Sequence, residues 1–361
     1  MSWARFAAIV LPVVGISAQA LAGPAPAAPA SGVPPMSTRS WEEALTEFAT
    51  FNVKVDALLD KGDFAALNAL ARSLRANNAR FSNGSPKDLN IYASLTLSEE
   101  DQTCAPCWRY RNDLSKRWIA ATPTASTPYI VRANLLISRA DGYRGDGWAR
   151  DVPPAVWSLI DELIGEAEQL LASKRDIVRD DPQYYSTLID IAHYSRGARD
   201  VHKTLAEGVA AYPGFGQLYE RAAIDMLPVW GGSYAALDRL ARLAAKNTAA
   251  TDKTGMFFRV YRIMHGIHHF GFAVDADGVD RPMLLQSMRD VASQYPVDYN
   301  YAEFVYMACR IGYDAEARRY AALMKDKMSE WAKPVQALAR DCDSVSPRKG
   351  RKTAALSIPP V

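Results

Sequence analysis

The sequence predicts an all-α protein, an array of paired antiparallel helices forming a tetratricopeptide-like α-solenoid. Three observations predict it. Apolar residues recur at steps of three and four, the spacing of one helix face. Val156, Ile160, Leu163, Ala167 and Leu170 form one such stripe, and Leu237, Leu240, Ala241 and Ala244 another. Helix-stopping clusters separate the stripes: "YPGFG" from Tyr212, "WGGS" from Trp230 and "YPVD" from Tyr295. Helix, glycine turn and helix recur as a unit in "LLDKGDFAALNALARSL" (Leu58 to Leu74) and "ACRIGYDAEARRYAALM" (Ala308 to Met324), and more weakly from His193 to Val209. Units near Asp181 to Phe215 and on to Thr248 approach ~34 residues, the tetratricopeptide length.

The chain opens on "MSWAR", then an apolar run from Phe6 ending in Ala20-Leu21-Ala22. A basic start, a short apolar run and small residues at its end define a secretory signal peptide over 1–22. Residues 23–39 are a Pro/Ala-rich linker that cannot build a core. The helical domain is expected over 40–343, and a disordered basic tail with "PRKGRK" over 344–361. These features place the protein in the periplasm or outside the cell, with no membrane span after signal cleavage.

Further stripes follow: Val201, Leu205, Val209 and Tyr212, then Leu218, Ala222 and Met226. Only "GFAVDADGVDR" (Gly271 to Arg281) breaks the helical pattern, and it would form at most a small β-hairpin. With 42 Lys and Arg against 40 Asp and Glu, the chain carries no nucleic-acid footprint.

Four cysteines in an exported chain favour disulfides. Cys104-Ala-Pro-Cys107 is followed by Trp108, not the His that c-type haem attachment requires. No second close pair completes a zinc site. The pair reads first as a local staple, and Cys309 then pairs with Cys342. Thiol–disulfide exchange is the alternative: Pro106 suits a helix start, and Arg109 and Arg111 would stabilise a thiolate.

His265 and His269 stand four apart, a metal-compatible spacing without a third ligand or an H-E-x-x-H pattern. His268 continues the stripe of Phe257, Val260, Tyr261 and Met264 and reads as a core residue. Asp275, Asp277 and Asp280 fail the calcium-loop pattern, since position six is Asp280 and position twelve Gln286. No metal and no cofactor is expected. The aromatic–glycine turns "ADGYRGDGW" (Ala140 to Trp148) and "PVWGGSY" (Pro228 to Tyr234) lack the G-K-[ST] of a phosphate loop. Gly142, Gly145 and Gly147 would permit a tight turn, with Ser233 capping the helix after the second. Tyr143, Arg144, Asp146, Trp148 and Trp230 are the expected partner-binding residues.

"LPVWGGSYAALDRLA" (Leu227 to Ala241), Thr127 to Ala149 and Tyr299 to Arg318 resemble an uncharacterised bacterial family of α-helical, tetratricopeptide-like proteins of unknown function. The likeness spans roughly Trp108 to Met328. It implies a helical scaffold and carries over no catalytic residue. The expectation is an exported scaffold that binds a protein or peptide, with thiol–disulfide oxidoreduction by Cys104 and Cys107 as the alternative.

Overall fold

The computed structural model describes residues 38–98, 101, 104–145, 149–195, 200–263 and 279–345. The expected signal peptide and nearly all of the expected linker therefore lie outside the described residues, as do Asp146, Trp148, His265, His268, His269, Asp275 and Asp277.

Among the described residues the fold is all-helical. Fourteen longer helices are described, with short single-turn helices between some of them. They are α1 Trp41–Lys61, α2 Phe64–Ala76, α3 Ala105–Ala121, α4 Thr127–Arg144, α5 Pro154–Ser173, α6 Pro182–Tyr194 and α7 Val201–Ala211. Then come α8 Gly216–Ala222, α9 Tyr234–Asn247, α10 Gly255–Ile263, α11 Arg281–Gln294, α12 Asp298–Ile311, α13 Asp314–Leu323 and α14 Ala332–Arg340. No strand occurs among the described residues. The hairpin expected over 271–281 lies mostly outside them, and its last residue, Arg281, opens α11.

Local chemistry sets the boundaries. Ser40 caps α1 in a reciprocal capping box: its Oγ accepts from Glu43 N (3.1 Å), and the Glu43 carboxylate accepts from Ser40 N (2.6 Å). Gly62, at φ 68°, ends α1 in the left-handed region, and Asp63 caps α2. Gly312, at φ 82°, separates α12 from α13 in the same way. A second device recurs where glycine is absent. Thr122, Tyr212 and Tyr295 end α3, α7 and α11 with nearly identical backbone angles, near φ −137°, −140° and −134°. Each precedes a proline, which excludes helical geometry from the residue before it.

Burial divides the helices into two kinds. Helices α4, α6, α8, α10 and α12 bury several faces, including Ile130, Ala133, Ile189, Leu218, Phe257 and Phe304. The intervening helices bury one stripe each. In α5 the stripe is Ile160, Ile164, Ala167 and Leu171, so its centre sits one residue further on than Leu163 and Leu170, which only flank the core. Each buried helix packs on the helices beside it in sequence and on the next buried helix, α4 on α6, α6 on α8 and α8 on α10. The apolar core has two parts that meet on α6, where Leu188 belongs to one and Ile189 to the other.

The first helices return to the last. Arg39 N donates to Pro296 O (2.9 Å) and Asp298 N to Arg39 O (3.0 Å). The Trp41 ring stacks on Tyr299 (5.1 Å) and meets Trp331 (5.2 Å). Asn300 Nδ2 donates to Asn83 O (3.2 Å), and Gly84 lies against Arg259 and Tyr295. Arg39, read as linker, is therefore part of the fold. The other boundary moves as well: Val345, read as tail, is buried, and its carbonyl accepts from Arg310 Nη1 (2.9 Å).

Candidate functional site

The C-terminal ends of α4, α6 and α8 meet in a polar cluster inside an otherwise apolar layer. The N-terminal ends of α4 and α6 also coincide: Ser126, directly before α4, donates to Asp181, the N-cap of α6 (2.8 Å). These two helices thus run side by side in one sense, and with α8 their last turns bring acidic, basic and imidazole groups together.

From α4, Asp141 is buried and accepts a short hydrogen bond from the Tyr194 hydroxyl of α6. From α6, His193 Nδ1 lies 2.9 Å from Asp225 Oδ1 in the turn after α8. From α8, Arg221 pairs with Asp190 of α6 at 3.7 Å. Trp230 closes the cluster, its ring 4.7 Å from the His193 ring and edge-on to it. The Gly231–Gly232 turn makes this approach: Gly232 packs so closely on Met226 that a Cβ there would lie 2.2 Å from its carbonyl oxygen. Ser233 then caps α9, accepting from Ala236 N (3.1 Å).

The electrostatics follow from burial. Removal from water pushes Asp190 up to about 6, and neighbouring Asp225 and Asp141 push the same way, against Arg221 and His193. Tyr194 is driven well above the ordinary phenol range by burial, then by Asp141. Asp190 Oδ1 and Asp225 Oδ2 are buried and have no hydrogen-bond partner among the described residues. The cluster thus holds acceptors that the fold leaves unsaturated.

Two of the expected partner-binding residues, Arg144 and Trp230, border this cluster. Arg144 follows Asp141 by one turn and its charge acts on Tyr194. Trp230 is 38% and Tyr143 39% exposed. Tyr143 is held by Arg139, whose guanidinium lies 4.6 Å from its ring centre and donates to its hydroxyl (3.0 Å). Asp146 and Trp148 lie outside the described residues. Gly142, expected to open a turn, lies within α4; Gly145, at φ 63°, ends that helix.

The groups of the cluster itself, Asp141, Asp190, His193, Tyr194, Arg221 and Asp225, are absent from the sequence-based expectations. Their signal was present: "LLISRAD", "LIDIAHY" and "RAAIDM" each place Asp within an apolar face near a helix end. A second network closes the other end of α4 and α6. Asp181 accepts from the Tyr92 hydroxyl (2.6 Å) and pairs with Arg75 (2.9 Å). Asp88 beside them is raised to about 6, chiefly by burial.

Cys104 is bonded to Cys107, and Cys309 to Cys342. Arg111, expected beside a thiolate, is committed to Asp101 (2.6 Å) and to the Thr96 carbonyl. Asp280 is occupied as the N-cap of α11, accepting from Met283 N (2.9 Å), and pairs with Arg242 (2.8 Å). Among the described residues no group of three His, Cys, Asp or Glu side chains is placed to hold a metal, and no helix is long and apolar enough to cross a membrane. No family model, curated protein or solved structure matches the chain.

Proposed function

We propose that this protein is an exported, tetratricopeptide-like scaffold that binds a protein or peptide at the joined ends of α4, α6 and α8. The observation that carries this reading is Trp230, a partly exposed aromatic seated on the partly buried His193–Asp225 pair. Large aromatics backed by rigid polar networks are common anchors of binding surfaces, because the ring loses little freedom on contact. Arg144 adds a charged group from α4 beside the cluster, and Tyr143 is the exposed aromatic next to it in the chain. Paired helices offer extended faces that suit peptide segments. Two disulfides agree with an oxidising compartment. The resemblance of Leu227 to Ala241 to helical proteins of unknown function points to a scaffold as well.

The test is selection of a random peptide library on the immobilised wild-type chain, followed by affinity measurement for the enriched peptides. Trp230→Ala and Tyr143→Ala are expected to weaken binding by about tenfold or more, the scale of an interface anchor. Unchanged affinity in both variants would remove this surface from the proposal.

A further inference from the structure

The two disulfides sit in opposite environments. Cys309 and Cys342 are 0% and 5% exposed, deep in the C-terminal core. Cys104 and Cys107 are both partly exposed. Cys104 is the N-cap of the 17-residue helix α3, with its Sγ accepting from Cys107 N at 3.1 Å. The free amide groups of a first helical turn favour negative charge. A thiolate at Cys104 would therefore keep that hydrogen bond and gain the field of the helix.

We propose that Cys104–Cys107 is a redox-active disulfide that exchanges with dithiol substrates, with Cys104 as the sulfur that forms the mixed disulfide. The inference stands apart from partner binding at Trp230. Exposure supplies access for an attacking thiolate, which the buried pair lacks. The cap geometry supplies a stabilised thiolate in the reduced state.

A substrate thiolate attacks Cys104 Sγ, forming a substrate–Cys104 disulfide and breaking the Cys104–Cys107 bond. Cys107 leaves as a thiolate and takes up a proton. The second thiol of the substrate, deprotonated, then attacks its own sulfur in the mixed disulfide. Cys104 departs as the stabilised thiolate. Two electrons pass from the substrate dithiol, which becomes a disulfide, to the cysteine pair.

The experiment uses the oxidised wild-type chain in graded glutathione buffers at neutral pH, with thiols trapped by alkylation and mapped by mass. Cys104–Cys107 is expected to open on the order of 100-fold faster than Cys309–Cys342. After its selective reduction, alkylation of each cysteine is followed against pH. Cys104 is expected to reach half-reactivity at least one pH unit below the ordinary thiol value of about 8.5. Equal resistance of the two disulfides, or half-reactivity of Cys104 at about 8.5 or higher, would overturn the proposal. Both readings come from the unmodified chain, so a variant that fails to fold cannot obscure them.

Discussion

His193 of α6 and Asp225 beyond α8 face each other at 2.9 Å, and the Trp230 ring packs on the imidazole. The pair joins two neighbouring buried helices through one polar contact. It also fixes the surface on which Trp230 sits.

Removing Asp225 takes the 2.9 Å hydrogen bond from the partly buried His193 ring. Asp225→Ala is expected to destabilise the fold by about 0.5–1.5 kcal/mol, the scale of one intramolecular hydrogen bond. Urea unfolding followed by circular dichroism measures it. A loss under about 0.5 kcal/mol, the scale of ordinary surface changes, would mean that the pair contributes little to joining α6 and α8.

Asp190 gives a pH dependence of defined sign. Its folded pKa, about 6, lies above the ordinary carboxylate value of 3.8. Between those values the folded state binds more protons than the unfolded one, so this group's contribution falls as pH rises. The full swing is about 3 kcal/mol, from roughly two pH units at 1.36 kcal/mol each. Carboxylates such as Glu47 and Glu316, held low by Lys87 and Arg289 against the pull of burial, act in the opposite direction. The wild-type stability minus that of Asp190→Asn isolates the group. That difference should decline from pH 4 to pH 7; a flat difference would show that Asp190 titrates normally.

Gly84 tests the closure of the chain on itself. Its φ is 87°, and a Cβ would lie 2.2 Å from an Arg259 guanidinium nitrogen and 2.8 Å from the Tyr295 ring. Gly145 has φ 63° and ψ −170°, and none of the described residues lies within 4 Å of a Cβ built there. Gly145→Ala should therefore introduce backbone strain alone, about 1–3 kcal/mol, while Gly84→Ala adds a steric clash to its strain and should destabilise the fold more. Equal shifts in melting temperature would mean that the Gly84 loop does not bear on α10.

The buried disulfide closes a separation of 33 residues. Replacing Cys309 and Cys342 together with Ala should lower stability by about 3–4 kcal/mol through unfolded-chain entropy. Guanidinium midpoints of the two proteins check this, and an unchanged midpoint would contradict it.

The helical class was legible because the chain repeats its punctuation. Gly62, Gly312 and the three X-Pro breaks each mark a helix end by a local rule, and local rules can be read from neighbours in sequence. The return of Trp41 to Tyr299 and Trp331 was not legible, since nothing near Trp41 in the chain encodes a partner more than 250 residues away. The candidate site divides in the same way. Tyr143, Arg144 and Trp230 stand in conspicuous aromatic–glycine sequences, the first two in the last turn of α4. Asp141, Asp190, His193 and Asp225 become a cluster only when three helices align their last turns.

Trp230 is proposed as the anchor of a bound peptide. Titration calorimetry of a library-enriched peptide against wild type, Trp230→Ala and Met328→Ala decides whether it is. Met328 is the more exposed hydrophobe, on the segment between α13 and α14. The claim predicts about tenfold or greater weakening for Trp230→Ala and wild-type affinity for Met328→Ala. Wild-type affinity for Trp230→Ala, with its fold intact by circular dichroism, would contradict it.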